Sequence, residues 1–363
     1  MVSYGLWAGA VMFIKTAVTL LMTLLTRRNT IMKALILKEY GKFVYEETDD
    51  PVYGPDEVLI KVAACAICGS DIHGMDGSTG RRIPPVIMGH EASGTIVEAG
   101  SNVKGFRKGD RVTFDSTIYC GKCAYCREGK INLCDDRRVL GVSCSEYRQN
   151  GAFAEYITVP QRILYPIPDS LSLEHAAMAE PLAIALHAVN ISDVRVNSRA
   201  VVVGAGMIGL LIIKLLSIAG CKEITAVDID ESKHETAMAF GATKTLTSIK
   251  TGTDADLSFE AVGIGPTVNM AVDCLKKGGR LTLVGNLSPD IMMPLQKIVT
   301  RGLILKGSCA STGEYPDCID LIADKKIDMG SFISRTAPLS EGASWFKRLY
   351  EKEKGLMKVI LCP

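Results

Sequence analysis

Residues Ala200–Asp228 read AVVVGAGMIGLLIIKLLSIAGCKEITAVD. Ala200–Val203 is a four-residue apolar strand, Gly204-Ala-Gly206-Met207-Ile208-Gly209 opens a helix running to about Ala219, and Ile224–Val227 is a second strand ending at Asp228. A lone G-x-G-x-x-G is weak. Here it follows a strand, starts a helix and has an acid 24 residues after its first glycine, which is the context a dinucleotide-binding turn demands. Gly204 permits the tight turn, Gly206 lets backbone N–H groups approach a pyrophosphate, and Gly209 allows close helix–strand packing. The helix start, with the amides of Met207 and Ile208, offers partial positive charge to the phosphates. Asp228 is placed to accept from ribose hydroxyls and to repel a 2′-phosphate, so the expected cofactor is NAD rather than NADP, a preference that nearby Lys233 complicates.

Downstream, the alternation continues with helix Ser232–Phe240, strands Lys244–Leu246 and Leu257–Ala261, helix Pro266–Leu275, and strands Arg280–Val284 and Leu303–Gly307. This predicts an α/β unit with a six-stranded parallel doubly wound sheet. Only ten residues separate Leu246 from Leu257, too few for a comfortable crossover helix, so a short irregular connection is expected there. The remaining C-terminal segment mixes two helices with a terminal strand, Lys358–Leu361. That strand alternates like the first half of the chain, and the chain is expected to return and complete the N-terminal domain.

Upstream, Lys33–Leu37, Glu57–Ala64, Ser93–Ala99 and Arg111–Phe114 are short apolar runs broken by turn residues, the pattern of an antiparallel β-rich domain. Leu173–Val189 reads as a helix, and within it Glu180-Pro181 puts a carboxylate in an otherwise apolar segment, where it needs a partner such as a metal or metal-bound water. The stretch Cys65–Glu91, CAICGSDIHGMDGSTGRRIPPVIMGHE, holds Cys68, Ser70, Asp71, His73, His90 and Glu91, including two of only five histidines in the chain. A thiolate, an imidazole and a carboxylate suit Zn²⁺ and leave a fourth position open, as catalysis requires. Cys120, Cys123, Cys126 and Cys134, at spacing C-x2-C-x2-C-x7-C, match a closed four-thiolate zinc site in which metal replaces the core a short polar loop cannot build. Two disulfides or an iron–sulfur cluster are the competing readings of that spacing.

At 363 residues the chain suits two domains, each able to bury its own core. Forty-one basic against forty acidic residues leave a net charge of +1, with no electrostatic footprint for nucleic acid. The clustered cysteines favour a reducing compartment, the cytoplasm. Leu6–Thr26 is apolar apart from Lys15 and is followed by Arg27 and Arg28. It is barely long enough for a membrane helix and lacks the positive start of a signal peptide. The favoured reading is translated upstream sequence, with Met32 the native initiator and no membrane association unless the extension is genuine.

The order Cys68-x-Ser70-Asp71-x-His73, Gly89-His90-Glu91, four clustered cysteines, Glu180-Pro181 and the glycine turn with Asp228 resembles the zinc-containing medium-chain dehydrogenase/reductase family over essentially all of Met32–Pro363. The resemblance implies a GroES-like β-rich catalytic domain over residues 32–185 with a zinc lobe at 116–136. It further implies a Rossmann NAD-binding domain over 186–320, a C-terminal return over 321–363, and residues 1–31 outside the fold. It makes Cys68 and His90 ligands of a catalytic zinc, with Glu91 or Glu180 the third, and gives Cys120, Cys123, Cys126 and Cys134 to a structural zinc. Ser70 and His73 match a proton relay and Asp71 the acid that orients His90, while Glu180 replaces the third cysteine ligand of simple alcohol dehydrogenases, as in the polyol branch. The implied activity is oxidation of a secondary alcohol of a polyol or sugar-derived substrate to a ketone with NAD⁺, by a homodimer or homotetramer. One departure bears on substrate: sorbitol dehydrogenases carry an Arg-Tyr pair where this chain has Ala310 and Ser311. The rival readings are a threonine 3-dehydrogenase-like enzyme, a sugar-phosphate (galactitol-1-phosphate-like) dehydrogenase to which Arg81-Arg82 offers a basic pair otherwise read as solvated, and a non-catalytic NAD-binding protein.

Overall fold

The computed structural model describes residues 31–144, 147–249 and 253–363. The apolar run near the N-terminus lies outside them, and among the described residues no helix is long and apolar enough to cross a membrane.

Ala200–Val203 sits at the centre of a six-stranded, wholly parallel sheet. Its order is Lys244–Leu246, Glu223–Val227, Arg199–Val203, Ala255–Glu260, Leu275–Leu283 and Ile304–Gly307. Order reverses beside the first strand, so its C-terminal end and the glycine turn face the crevice where such sheets bind ligands. Gly204 has φ +100°, and a Cβ there would meet Val262 Cγ2 at 2.7 Å; one on Gly209 would meet Gly204 O at 1.8 Å. Both positions therefore demand glycine on backbone geometry and packing. The strand at Leu275–Leu283 begins earlier than predicted because a bulge at Lys276–Gly279 lets Leu275 pair with Ala255 before register resumes at Arg280 with Leu257. Between Leu246 and Ala255 the described residues contain no helix, as the short spacing required.

The N-terminal domain is built on the antiparallel strand Glu57–Ala66, which pairs with Glu91–Ala99 along one edge. Along its other edge it pairs first with Tyr156–Pro160 and then, at Cys65 and Ala66, with Lys358–Cys362. The chain end thus returns to this sheet. It brings a strand the sequence concealed: Ile333–Pro338 lies parallel to Lys358–Cys362 and is largely exposed, so its pattern carries no apolar alternation.

The single helix expected over Leu173–Val189 is two, Leu173–Ala177 and Ala179–Asn190, meeting at Met178. Pro181 is the reason: it has no N–H for the carbonyl of Ala177, and its ring would strike that carbonyl in a continuous helix. The break starts the second helix just before Glu180. Ala179, Leu182, Ala183 and Ala185 are buried in the core shared with helix Met207–Ile218, so this helix forms the seam between domains with Glu180 at its N-terminal end.

Candidate active site

Cys68 caps the short helix Gly69–Gly74: its Sγ accepts from Ser70 N at 3.4 Å, and Asp71 Oδ2 accepts from Cys68 N at 3.4 Å. His90 follows Gly89, whose φ of +94° and whose contacts leave no room for a Cβ, which would lie 2.8 Å from Cys65 Sγ and 2.9 Å from the Phe153 ring. Glu91 opens the strand Glu91–Ala99. The candidate ligand atoms of Cys68, His90 and Glu91 lie within 4.8 Å of one another, a separation one tetrahedral ion can bridge. The residues present therefore fit the metal that the sequence implies.

Three buried charged groups, Asp71, Arg82 and Lys358, surround the trio. Asp71, fully buried, stands 3.5 Å from His90 Nδ1 and accepts from Arg82 Nη2 at 2.9 Å. Burial pushes its carboxyl up, but His90 and Arg82 outweigh it and hold the group well below the ordinary carboxylate range. Arg82 is thus not half of an exposed basic pair: it is 3% exposed, and the same Nη2 lies 3.4 Å from Ser70 Oγ, while Arg81 remains exposed. Lys358, from the last strand, donates to both oxygens of Glu91, at 2.7 and 2.9 Å, and to Ile67 O at 3.1 Å. Burial opposes its charge, but Glu91 and Cys68 outweigh that and raise its pKa. A lone lysine in the apolar strand KVILC was a legible sign of a buried partner; which partner was not.

Glu180 is beside the trio rather than within its mutual contact distance. Ser116 Oγ donates to it at 3.1 Å, and burial pushes its pKa up to about 7, with nearby His90 opposing and Glu91 and Asp115 adding. Ser70 and His73 are both exposed at the mouth of the site, one helical turn apart, where a proton can reach solvent.

Asp115 is a site residue the sequence reading did not single out. It accepts from Thr117 N at 2.8 Å and Ser311 Oγ at 3.3 Å, and burial pushes it up to about 6. Since the folded pKa exceeds the ordinary 3.8, the folded state binds the extra proton, and stability falls as pH rises from about 4 to about 6. Asp115→Asn is expected to remove about 3 kcal/mol of that decline. Urea midpoints of both proteins across this range will check it; parallel curves would refute the assignment.

At the cofactor crevice a Cβ on Gly206 would meet nothing within 4 Å, leaving open space in front of the helix start at Met207, as a pyrophosphate requires. Asp228 Oδ2 accepts from Ala205 N at 2.9 Å and Oδ1 from Asp230 N at 3.0 Å, so the acid shapes the glycine turn. Lys233 Nζ reaches both of its oxygens, at 3.1 and 3.2 Å, and offsets its charge.

The sulfurs of Cys120, Cys123, Cys126 and Cys134 also lie within 4.8 Å of one another and form no disulfides. Amides point at them, Cys120 N to Cys134 Sγ at 3.2 Å and Cys123 N to Cys120 Sγ at 3.3 Å, as thiolates sharing a cation require.

Residues 54–169 match the family model for the alcohol dehydrogenase GroES-like domain, and residues 208–324 match that for zinc-binding dehydrogenase. The chain is 33% identical to a sorbitol dehydrogenase of Halalkalibacterium halodurans, over 92% of this chain and 99% of that protein. It is also 33% identical to the D-arabitol-phosphate dehydrogenase of Enterococcus avium, over 86% and 92%. A crystal structure from Sinorhizobium meliloti 1021, assigned as a zinc-binding dehydrogenase and bound to NADP, superposes with a TM-score of 0.84 at 32% identity, covering 92% of this chain and all of that one. With two converging thiolate-bearing sites, a nucleotide crevice and these relatives, the chain belongs to the zinc-containing medium-chain dehydrogenase/reductase family, among its polyol dehydrogenase-like members.

Proposed function

We propose that this alcohol dehydrogenase oxidises a secondary alcohol of a polyol or sugar-derived substrate to a ketone, with NAD⁺ as the preferred acceptor. The observation that carries the reading is the convergence of Cys68, His90 and Glu91 beside buried Glu180. Bound zinc polarises an alcohol oxygen and so lowers its pKa toward neutrality, and a bound nicotinamide accepts hydride. The chain's own residues do the rest. Cys68 and His90 hold the metal, with Asp71 fixing the imidazole from behind. Glu91, ion-paired with Lys358, and Glu180, clamped by Ser116, are the two acids available as a third ligand or to orient a hydroxyl. Ser70 takes the alcohol proton and His73 passes it to solvent. Cys120, Cys123, Cys126 and Cys134 hold a second, structural zinc.

A panel of polyols, phosphorylated polyols and amino alcohols, followed by nicotinamide absorbance, tests this. Turnover of polyols supports it, and zinc-loaded protein that turns over none of the panel overturns it. A preference for phosphorylated polyols is the second reading, which the Enterococcus avium relative and exposed Arg81 favour.

Asp228 supports the NAD preference, with Lys233 limiting it. Asp228→Ala frees Lys233 and is expected to raise the NADP-to-NAD ratio of kcat/KM about tenfold, the scale of a charge-assisted hydrogen bond. An unchanged ratio would remove Asp228 from the ribose site. We further propose a cytoplasmic homodimer or homotetramer. Among the described residues Ile304–Gly307 pairs on one edge only, and Met292, Leu295 and Val299 nearby are exposed, a surface a second copy would cover. Light scattering will check the oligomer.

A further inference from the structure

The loop Ser308–Thr312 follows the last parallel strand, Ile304–Gly307. Its backbone is strained. Ala310 has φ +51°, in the left-handed region, which costs an alanine roughly 1–2 kcal/mol and which no side-chain hydrogen bond of its own can offset. Such a conformation persists only where the surroundings impose it.

The surroundings that flank Ala310 belong to the N-terminal domain, and two of them, Asn132 and Gly129, to the four-cysteine lobe. Asn132, buried between Cys126 and Cys134, donates from Nδ2 to the Cys309 carbonyl at 2.7 Å, on the residue before Ala310. Arg137 Nη1 donates to Asn132 O at 2.8 Å and lies 2.8 Å from Cys309 Sγ, so it braces both partners of that contact. Beyond Ala310, Thr312 Oγ1 donates to Gly129 O at 2.8 Å, again in the lobe. Between them Ser311 Oγ reaches Asp115. Asp115 adjoins Ser116, which holds Glu180, so the loop ends two contacts away from the acid beside the metal trio. On its far side the Asn132 amide stands 3.4 Å from His187 Nε2, and His187 Nδ1 is 2.7 Å from Glu314 Oε1, which ties the helix carrying Glu180 to the same junction.

We infer that Asn132 is a positioning residue for substrate recognition: the four-cysteine lobe, through Asn132, holds the strained loop at Ala310 and thereby sets Ser311 and Asp115 as the substrate-side wall of the cleft. The inference deepens the polyol dehydrogenase reading and rests on it for its kinetic arm. It gives the lobe a task beyond closing its own short polar loop around a metal. None of the residues that carry it is a metal ligand or a member of the proton relay.

Asn132→Ala is expected to raise the KM of the best alcohol about tenfold while leaving kcat and the KM of NAD⁺ within about twofold, the signature of lost substrate binding rather than lost chemistry. Amide hydrogen exchange should accelerate over residues 308–314 and stay unchanged over the glycine turn at 203–209, with zinc content unaltered. Ala310→Gly removes the strain, so the effect of Asn132→Ala on KM should shrink severalfold in that background, a coupling expected only between residues that share one local structure. Thr312→Val, which removes a single exposed bond to Gly129, should accelerate exchange over the same loop and covers the case in which Asn132→Ala folds poorly. Unchanged exchange in the loop overturns the inference, as does an equal loss in kcat and both KM values, or full additivity with Ala310→Gly. If the chain oxidised no alcohol, the polyol reading would fail while the exchange experiment still decided whether the lobe holds the loop.

Discussion

Cys68→Ala is expected to lower kcat/KM by at least about a thousandfold, the scale of removing a principal stabiliser of developing charge at a reacting oxygen. Cys68 supplies the sole sulfur of the trio, it is fixed at a helix start, and His90 with one carboxylate is a poor remaining set for zinc. The glycine turn that would bind the dinucleotide lies in the other domain, at Gly204–Gly209, and shares no hydrogen bond with Cys68. Binding of NADH, followed by its fluorescence, should therefore be unchanged while zinc content falls by the catalytic share alone. Turnover that survived the substitution would refute the metal mechanism, and lost NADH binding would show that Cys68 acts through the fold.

Lys358→Met is expected to destabilise the protein by about 3–5 kcal/mol, because it leaves the Glu91 carboxylate buried and unpaired. Lys358 is 3% exposed and Glu91 1%, so neither solvent nor another cation among their contacts takes over. Adding Glu91→Gln should recover most of the loss, since the cost lies in the abandoned charge rather than in the missing ion pair. The same variant probes the metal site. With Lys358 gone, zinc is the remaining cation within reach of Glu91, so the destabilisation should be smaller in zinc-loaded than in zinc-stripped protein. Urea denaturation of single and double variants, at fixed protein concentration and with and without chelator, measures both effects. Equal losses in the two metal states would remove Glu91 from the ligand set, and no recovery in the double variant would refute the unpaired-charge argument.

Much of the site was legible because its parts are local in sequence. The glycine turn and Asp228 span 25 residues, the four cysteines 15, and Cys68 to Glu91 24, so spacing alone carried their chemistry. The break at Met178 was also available, since Pro181 announces it. Arg82 was misread as solvated because its neighbour Arg81 is, and nothing in the local pattern says which of two adjacent arginines turns inward toward Asp71.

What the sequence by itself determined is the doubly wound nucleotide unit, the β-rich partner domain, the four-thiolate lobe and the residue types that can hold a catalytic metal. Each follows from short-range rules: backbone freedom at glycine, strand and helix period, and ligand spacing. Only the tertiary structure decided that Glu91 joins Cys68 and His90 while Glu180 stands beside them, that Lys358 neutralises Glu91 from 267 residues away, and that the lobe grips the loop at Ala310. Those outcomes depend on which strands become neighbours and which charges are buried together, and burial is a property of the assembled core that no single stretch of chain carries.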